Sequence, residues 1–268
     1  MTTAAREQPV VAITGGGTGI GAATATLFAR AGWRVAVIGR RRAPLDAVAD
    51  TIGGLAVVAD AADGPSADGA VARVLEQFGR LDAVVANAGG HGFAAVADTT
   101  DADWAAALRA NLDSAFVFTR AALAALRASR GSIVVVSSLA GLAAGPSTAG
   151  YTTAKHALIG LTRSIARDYG VDGVRANVVC PGWVRTPMAD AEMDEFAAVA
   201  GLAGRDDAYR TVTADVPLAR PADPAEVAEA IVFLASARAS YISGAVLPID
   251  GGATSVDLPT TAFARAGM

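Results

Sequence analysis

Short apolar runs rich in β-branched residues alternate along this chain with alanine-rich stretches of helical character. The runs predict buried strands at 10–14, 34–38, 55–59, 81–86, 132–137, 175–180 and 245–249, with helices at 20–31, 44–51, 66–78, 103–127, 151–169 and 225–234. Nearly continuous apolar strands are typical of a sheet that is covered on both faces. Alternation with helices favours parallel strands joined by right-handed crossovers. We therefore expect one α/β domain over residues 1–268, a doubly wound and mostly parallel seven-stranded sheet flanked by helices.

The composition excludes several classes of protein. Although 53% of the residues are hydrophobic, the longest uncharged stretch, 131–154, is interrupted by Ser, Thr, Gly, Pro and Tyr, which argues against a membrane-spanning helix. The formal charge of −4 argues against a nucleic-acid binder, and two histidines with one cysteine leave little material for a metal site. The single cysteine, Cys180, and an N-terminus without the apolar core of a signal peptide favour the cytoplasm.

A glycine-rich turn follows the first predicted strand and leads into the first helix. It reads Thr14-Gly-Gly-Gly-Thr-Gly-Ile-Gly21. Glycines let the backbone approach a pyrophosphate, and the N-terminus of the following helix supplies N–H groups and partial positive charge. No Gly-Lys-Ser/Thr follows, so the turn is not the phosphate loop of nucleoside triphosphatases. An ordinary strand–helix turn without a ligand stays open as the alternative.

Tyr151 and Lys155 are four residues apart on a predicted helix, so their side chains share one face. A free tyrosine has a pKa of about 10, and a nearby cation favours its phenolate form. Ser138 lies thirteen residues before the tyrosine. The spacing of tyrosine and lysine alone occurs by chance in many chains, so its meaning depends on the rest of the sequence.

Five motifs occur in order along the predicted strands. They are the glycine turn, Asn87-Ala88-Gly89 after the fourth strand, Ser138, the Tyr151–Lys155 pair, and Pro181-Gly182 after the sixth strand. In this arrangement the chain resembles the short-chain dehydrogenase/reductase family over nearly its whole length. The resemblance implies a single-domain Rossmann fold, a nicotinamide cofactor, a small-molecule carbonyl or alcohol substrate, and a homotetramer or homodimer.

The resemblance also implies roles for four residues. Tyr151 is the expected general acid when a carbonyl is reduced and the base when an alcohol is oxidised. Lys155 is expected to lower the pKa of that tyrosine and to bind the nicotinamide ribose, and Ser138 to hold the carbonyl oxygen. Asn111 matches an asparagine that anchors a water in a proton relay, although a helix-interior asparagine bonding only locally is the alternative.

Cofactor contacts are expected from the same resemblance. They are Gly15, Gly17, Thr18, Gly19, Ile20, Asp60, Ala61, Asn87, Ala88, Gly89, Tyr151, Lys155, Pro181, Gly182, Val184 and Thr186. Gly39 stands where NAD-selective enzymes carry a carboxylate, and Arg40 and Arg41 follow it. These arginines can bind a 2′-phosphate through charge-assisted bonds, which favours NADP(H) and leaves NAD(H) possible. A solvated arginine turn is the alternative.

The expected substrate pocket contains His91, Leu139, Trp183, Met188 and Met193, with a lid over about 188–220. These residues predict a mostly apolar cleft for a neutral ketone or secondary alcohol. The function implied is NAD(P)(H)-dependent hydride transfer between the nicotinamide and such a substrate. Two alternatives remain, a 3-oxoacyl thioester reductase and a non-catalytic dinucleotide-sensing protein.

Overall fold

A computed structural model describes residues 8–90 and 92–268 of the chain, and in it the predicted strands form one sheet. The strands are β1 Val10–Thr14, β2 Arg34–Gly39, β3 Leu55–Val58, β4 Ala83–Ala86, β5 Ser132–Val136, β6 Arg175–Pro181 and β7 Val246–Ile249. Their order is β3-β2-β1-β4-β5-β6-β7, and every neighbouring pair is parallel. The predicted α/β fold with a seven-stranded parallel sheet is confirmed.

Helices cover both faces of this sheet. They are α1 Gly19–Arg30, α2 Arg42–Ile52, α3 Gly64–Phe78, α4 Asp101–Leu108, α5 Ser114–Ser129, α6 Ala149–Tyr169, α7 Pro187–Ala200, α8 Arg205–Val212, α9 Pro224–Ala235 and α10 Thr261–Arg265. One face packs against α3, α5 and α6, and the other against α1, α2 and α9. Burial on both faces explains why the strands are continuous apolar runs rather than alternating ones. In the described part of the chain, no helix is long and apolar enough to cross a membrane.

The strand order reverses direction beside β1. The chain builds β1, β2 and β3 outward and then returns to place β4 on the other side of β1. In such sheets the connections after the two central strands diverge, so a crevice opens at the carboxyl ends of the strands. The glycine turn after β1 and the Asn87-Ala88-Gly89 segment after β4 both lie at this edge.

The helix predicted over 103–127 contains a wider turn that the sequence pattern did not indicate. A π turn, Arg109–Asp113, separates α4 from α5, and Asn111 lies inside it with 0% exposure. The Asn111 amide donates to the carbonyl of Ala107 at 2.9 Å. Turns of this kind inside helices are frequent at functional sites.

The segment 188–220, which the sequence analysis expects to be a lid, contains nearly all of α7 and the whole of α8. These two helices share a small hydrophobic cluster of their own. Tyr209 is fully buried in the cluster and donates its hydroxyl proton to Asp190 at 2.8 Å. A buried phenol with a satisfied hydroxyl gives this segment a fixed internal structure.

Replacing Gly21 with alanine should destabilise the fold. A Cβ at position 21 would lie 2.2 Å from the carbonyl oxygen of Gly15, so the turn and helix α1 would have to separate. We expect a loss of about 1–3 kcal/mol in the free energy of unfolding, the usual cost of overpacking.

The matched control is Gly69→Ala in the interior of α3, where an added Cβ meets no atom within 4 Å. This change should stabilise the protein by about 0.5–1 kcal/mol because alanine is the better helix former. Urea unfolding of both variants measures the difference. Equal stability of the two variants would contradict the close approach at Gly21.

Candidate active site

The glycine turn has the geometry needed to receive a dinucleotide pyrophosphate. Gly15 and Gly19 have φ values of 65° and 54°, which favour glycine. Thr18 precedes α1 without capping it by a side-chain hydrogen bond, so the first N–H groups of the helix stay available to an anion. Across the opening, a Cβ on Gly19 would lie 3.0 Å from the Thr186 methyl group. The turn and the start of α7 therefore border one narrow space.

Thr14 and Asn87 join the turn to the end of β4. The Thr14 hydroxyl accepts hydrogen bonds from the N–H groups of Asn87 at 3.1 Å and Ala88 at 3.2 Å. The Asn87 side chain donates in return to the carbonyls of Thr14 at 3.0 Å and Gly15 at 3.2 Å. Asn87 thus holds the glycine turn in place, a structural role that the sequence did not indicate. The part played by Thr14 was also missed.

Lys155 is buried beneath the site. It is 4% exposed and donates a hydrogen bond to the carbonyl of Val136 at 3.0 Å, at the end of β5. Burial lowers the pKa of Lys155 from 10.5 to about 8, because the charged form loses its hydration. Next to it, the Ser137 hydroxyl donates to the Lys155 carbonyl at 2.8 Å and fastens α6 to β5.

Tyr151 lies on the same face of α6 as Lys155. The Lys155 nitrogen is 5.5 Å from the centre of the Tyr151 ring, and the Phe93 ring packs against that ring with 5.0 Å between centres. Burial raises the pKa of Tyr151 above its usual value, while the Ser138 hydroxyl lowers it. The expected lowering of this pKa by Lys155 is therefore corrected. Desolvation of the phenol is the main cause of its raised pKa, and the lysine ammonium donates instead to the carbonyl of Val136.

Asn111 is held close to Lys155 by a glycine loop. Its side-chain oxygen accepts a hydrogen bond from the Gly90 N–H at 2.8 Å. A Cβ on the neighbouring Gly89 would lie 2.8 Å from that oxygen and 3.3 Å from the Lys155 nitrogen. Gly89 therefore fits between the asparagine and the lysine only because it has no side chain. Asn111 makes the local bond to Ala107 and also this long-range bond, while its expected role in anchoring a water stays a prediction.

The segment after β6 presents its backbone to the same cleft. Ala222 donates to the carbonyl of Trp183 at 2.8 Å and accepts from the N–H of Arg185 at 3.0 Å. Backbone groups of successive residues in such a bridge point in opposite directions, so the N–H and carbonyl of Val184 face away from Ala222. The Val184 side chain is buried in the core. Pro181 is also buried, and Gly182 approaches Asp250 too closely for a large side chain.

Arg40 and Arg41 follow β2 at the opposite end of the crevice. Both side chains are exposed, and across residues 8–90 and 92–268 neither has a hydrogen bond or ion pair. Asp60, after β3, is bound by Arg109 at 2.7 Å. A hydrogen bond from Ala62 is the main cause that lowers the pKa of Asp60, and Arg109 and Arg40 lower it as well. Ala61, beside it, is buried.

The residues expected to form the substrate pocket are only partly brought together. Leu139 and Trp183 line a cavity of about 100 Å³. Met188 lies elsewhere, over the loop, where a Cβ on Gly90 would be 2.4 Å from its sulfur. Met193 is 2% exposed inside the cluster of α7 and α8, so it packs the lid segment instead of facing the cleft. His91 lies outside the described residues.

Glu192 on α7 is a candidate site residue that the sequence interpretation of an apolar cleft did not include. It is half-buried, and burial raises its pKa, with a further increase from Glu195. Its carboxylate is near enough to raise the pKa of Tyr151. The four-residue spacing from Met188 is the sequence signal that points to it, because both then lie on one helix face.

No metal site accompanies these groups within the described residues, where no cluster of three or more His, Cys, Asp and Glu side chains could hold an ion. Cys180 is fully buried behind the site, and burial raises the pKa of its thiol. A buried, protonated thiol behaves as a small apolar group. The functional groups available are therefore the hydroxyls, the ammonium, the amides and the backbone of the cleft.

Comparison with known proteins gives close matches in sequence. Residues 15–254 match a family model described as enoyl-(acyl carrier protein) reductase. Protein MoaE of Klebsiella aerogenes is 51% identical over 95% of this chain and 99% of its own length. Meso-2,3-butanediol dehydrogenase of Serratia marcescens is 36% identical, over 94% of this chain and 96% of that protein.

Solved structures share the fold. Levodione reductase superposes with a TM-score of 0.87 at 31% identity, covering 92% of this chain and 98% of that one. A 3-ketoacyl-(acyl-carrier-protein) reductase from Brucella melitensis complexed with NADH gives 0.82 at 26% identity, covering 92% and 98%. A variant of actinorhodin polyketide ketoreductase with NADPH gives 0.87 at 30% identity, covering 93% and 98%.

The fold and these matches define a nicotinamide-dependent oxidoreductase acting between an alcohol and a ketone. The chain belongs to the short-chain dehydrogenase/reductase family, as its motifs predicted.

The lowered pKa of Lys155 can be measured directly because this is the only lysine in the 268 residues. In protein labelled with ¹³C-lysine, its side-chain carbon signal should titrate with a midpoint near pH 8, well below the 10.5 of a free lysine. The denatured protein is the control and should titrate near the free value. A native midpoint at or above 10 would contradict the burial of the ammonium.

The lowered pKa of Lys155 also makes the free energy of unfolding depend on pH. Between about pH 8 and 10.5 the unfolded chain holds a proton at Lys155 that the folded chain has lost, so this residue makes stability rise with pH. Tyr151, with its raised pKa, acts in the opposite direction only above about pH 10. From pH 8 to 9.5 the free energy of unfolding of the native protein should therefore gain up to about 2 kcal/mol relative to Lys155→Met.

Proposed function

We propose that this protein is an NADP(H)-dependent carbonyl reductase or alcohol dehydrogenase for a small-molecule ketone or secondary alcohol. The observation that supports it best is the convergence of Ser138, Tyr151, Lys155 and Asn111 on one cleft beside the glycine turn. Asn111 and Lys155 both lie next to Gly89, since a Cβ there would be 2.8 Å from the asparagine oxygen and 3.3 Å from the lysine nitrogen. Binding a dinucleotide alone would not require this set of proton donors and acceptors.

Tyr151 is proposed as the general acid in reduction. Its raised pKa keeps the phenol protonated at neutral pH, which is the form that can donate a proton to the carbonyl oxygen. Ser138, whose hydroxyl acts on the same phenol, would hold that oxygen by a hydrogen bond. The nicotinamide, when bound, supplies the hydride in reduction or accepts it in oxidation. In the oxidative direction Tyr151 must be deprotonated, so oxidation is expected to need a more alkaline solution.

Lys155 and Asn111 are proposed to manage the proton that Tyr151 gives up. The Lys155 ammonium, with a pKa of about 8, can exchange a proton near neutrality and can donate to the nicotinamide ribose. Asn111 is buried and bonded on both sides, to Ala107 and Gly90, which gives its side chain a fixed orientation for a bridging water. The fixed orientation suits a relay from the lysine to solvent.

NADP(H) is proposed as the preferred cofactor. Arg40 and Arg41 are exposed at the end of β2 and have no hydrogen bond or ion pair with the described residues, so both guanidinium groups are available to a phosphate. Gly39 offers no carboxylate for ribose hydroxyls, and the nearby Asp60 is engaged by Arg109. NAD(H) stays the alternative, and solved relatives occur with either NADH or NADPH.

Two other functions fit less well. A 3-oxoacyl thioester reductase receives its substrate on an anionic carrier, and the mouth of this cleft carries the half-buried Glu192 and the exposed Glu195. Like charges would oppose such a carrier. A non-catalytic dinucleotide sensor would have no use for the Tyr151 phenol with the Ser138 hydroxyl beside it, because binding alone requires no proton donor.

The remaining parts of this proposal concern the lid and the surroundings of the protein. Residues 188–220 would close over the substrate.

A homotetramer or homodimer is supported by exposed aromatic side chains at Trp104 and Phe116 on neighbouring helices. A cytoplasmic location is supported by the single, buried cysteine. Light scattering of the purified protein would measure the oligomeric state.

Tyr151→Phe should reduce turnover by about 10²- to 10⁴-fold, the contribution of a general acid. The dissociation constant for NADPH should stay within about twofold, because the ring is kept and only the proton donor is lost. Tyr241→Phe is the matched control, since that side chain is fully exposed. Loss of absorbance of NADPH over a panel of ketones measures both variants. Retained activity in Tyr151→Phe would refute the assigned role.

Replacing Arg40 and Arg41 by alanine should raise the KM for NADPH by about ten- to a hundredfold, the loss of one or two charge-assisted bonds to phosphate. The KM for NADH should change by less than about threefold. Arg42→Ala is the control, because Arg42 already pairs with Asp46 at 3.7 Å on the same turn. Equal effects on both cofactors would reject the preference for NADP(H).

A further inference from the structure

One face of α7 runs from the cleft to the solvent. Met188, Glu192, Glu195 and Val199 follow one another at spacings of four, three and four residues, so they form a single row on the helix. Met188 begins the row against the Gly90 loop, and Glu195 and Val199 end it in solvent. Glu192 lies between them and is half-buried, about 6 Å along the helix from Met188.

A different side of α7, about 130° round the helix from this row, faces the interior of the segment. Ala189, Met193 and Ala197 are buried in the cluster shared with α8. This packing fixes the rotation of the helix, because turning it would expose the cluster. The row that contains Glu192 is thereby directed away from the cluster. Met188, its first residue, lies over the Gly90 loop.

The acidic side chains around Glu192 are nearly all paired with arginine. Asp190 forms an ion pair with Arg205 at 3.2 Å, and Asp194 pairs with the same arginine. Asp206 binds Arg185 at 2.9 Å, and Asp207 binds Arg210. Glu192 has neither a hydrogen bond nor an ion pair with any residue that the structure describes, and the charged group nearest to it on α7 is another carboxylate, Glu195.

A half-buried carboxylate without a partner is costly unless something else provides one. Burial removes hydration from the charge, and Glu195 adds repulsion in place of compensation. Arginines are abundant in this segment, yet none is placed against Glu192. The cleft that holds Tyr151 is on this side of the helix. A hydrogen-bond donor on a bound substrate would therefore provide the partner that the Glu192 carboxylate lacks.

We propose that Glu192 is a specificity-determining residue at the mouth of the cleft, where its carboxylate accepts a hydrogen bond from a protonated amine or a hydroxyl group of the substrate. This inference rests on the proposed carbonyl reductase function and narrows its substrate class. The preferred ketone carries a hydrogen-bond donor some atoms away from the reacting carbonyl. Substrates with a carboxylate or phosphate at that position are repelled.

Rigid para-substituted acetophenones provide the probe. Aminomethyl, hydroxymethyl, ethyl and carboxymethyl substituents place a cation, a neutral donor, an apolar group and an anion at nearly the same distance from the carbonyl. With the native enzyme and NADPH, kcat/KM should decrease in that order. In Glu192→Gln, the ratio of kcat/KM for the aminomethyl compound to that for the ethyl compound should fall by about ten- to a hundredfold, the effect of losing one charge-assisted hydrogen bond.

Glu195→Gln is the matched control, because that residue lies on the same row but is exposed. It should change the ratio by less than about twofold. Calorimetric binding of the corresponding aminomethyl and ethyl alcohols to the enzyme with NADPH, with which they cannot react, gives a second readout that needs no turnover, and it should show the same loss in Glu192→Gln. Thermal unfolding confirms that both variants are folded.

The outcomes separate this inference from the proposed function. Turnover of the ethyl compound without any preference for donor groups, or an unchanged ratio in Glu192→Gln, overturns the role of Glu192 and leaves the reductase in place. A preference for the hydroxymethyl over the aminomethyl compound supports the inference, with a hydroxyl group as the donor, only if Glu192→Gln removes that preference; the same preference in Glu192→Gln overturns the role of Glu192. Absence of turnover for every ketone, with no difference in alcohol binding between the variants, overturns both.

Discussion

The burial of the Lys155 ammonium is the constraint on which the rest of the site depends. A charge that is 4% exposed needs a fixed acceptor, and the carbonyl of Val136 provides it at 3.0 Å. The lysine can reach that carbonyl only while α6 is docked on β5, which the bond from Ser137 to the Lys155 carbonyl secures. Because Tyr151 is one turn before the lysine on α6, the same docking sets the position of the phenol.

The other site residues come to this pair from the carboxyl edge of the sheet. Thr14 and Asn87 bind the glycine turn to the end of β4, where the strand order reverses. From there the chain continues to Gly89, which lies next to Lys155 and Asn111, and to Gly90, whose N–H donates to Asn111. The π turn aims Asn111 at this loop, because an added residue in the turn rotates the side chain relative to a regular helix. The glycine loop and the π turn thus decide whether Asn111 lies close to Lys155.

The strands, most helices and the order of the motifs could be predicted because they depend on local patterns. Apolar runs, glycines and the spacing of Tyr151 and Lys155 are visible along the chain. The tyrosine pKa was predicted in the wrong direction, because desolvation depends on neighbours such as Phe93 that are remote in sequence. Met193 was assigned to the pocket from its position in the chain, whereas the rotation of α7 buries it in a separate cluster.

The sequence by itself determined the parallel sheet, the glycine turn and the tyrosine–lysine pair, since each follows from residue type and spacing over a few turns or strands. Only the tertiary structure decided the balance of charge in the cleft. In the folded protein Lys155 donates to the carbonyl of Val136 and Asp60 pairs with Arg109. Glu192 is half-buried without a partner among the described residues. The physical reason is that burial and electrostatic interaction depend on distances in space, and residues far apart in the chain set those distances.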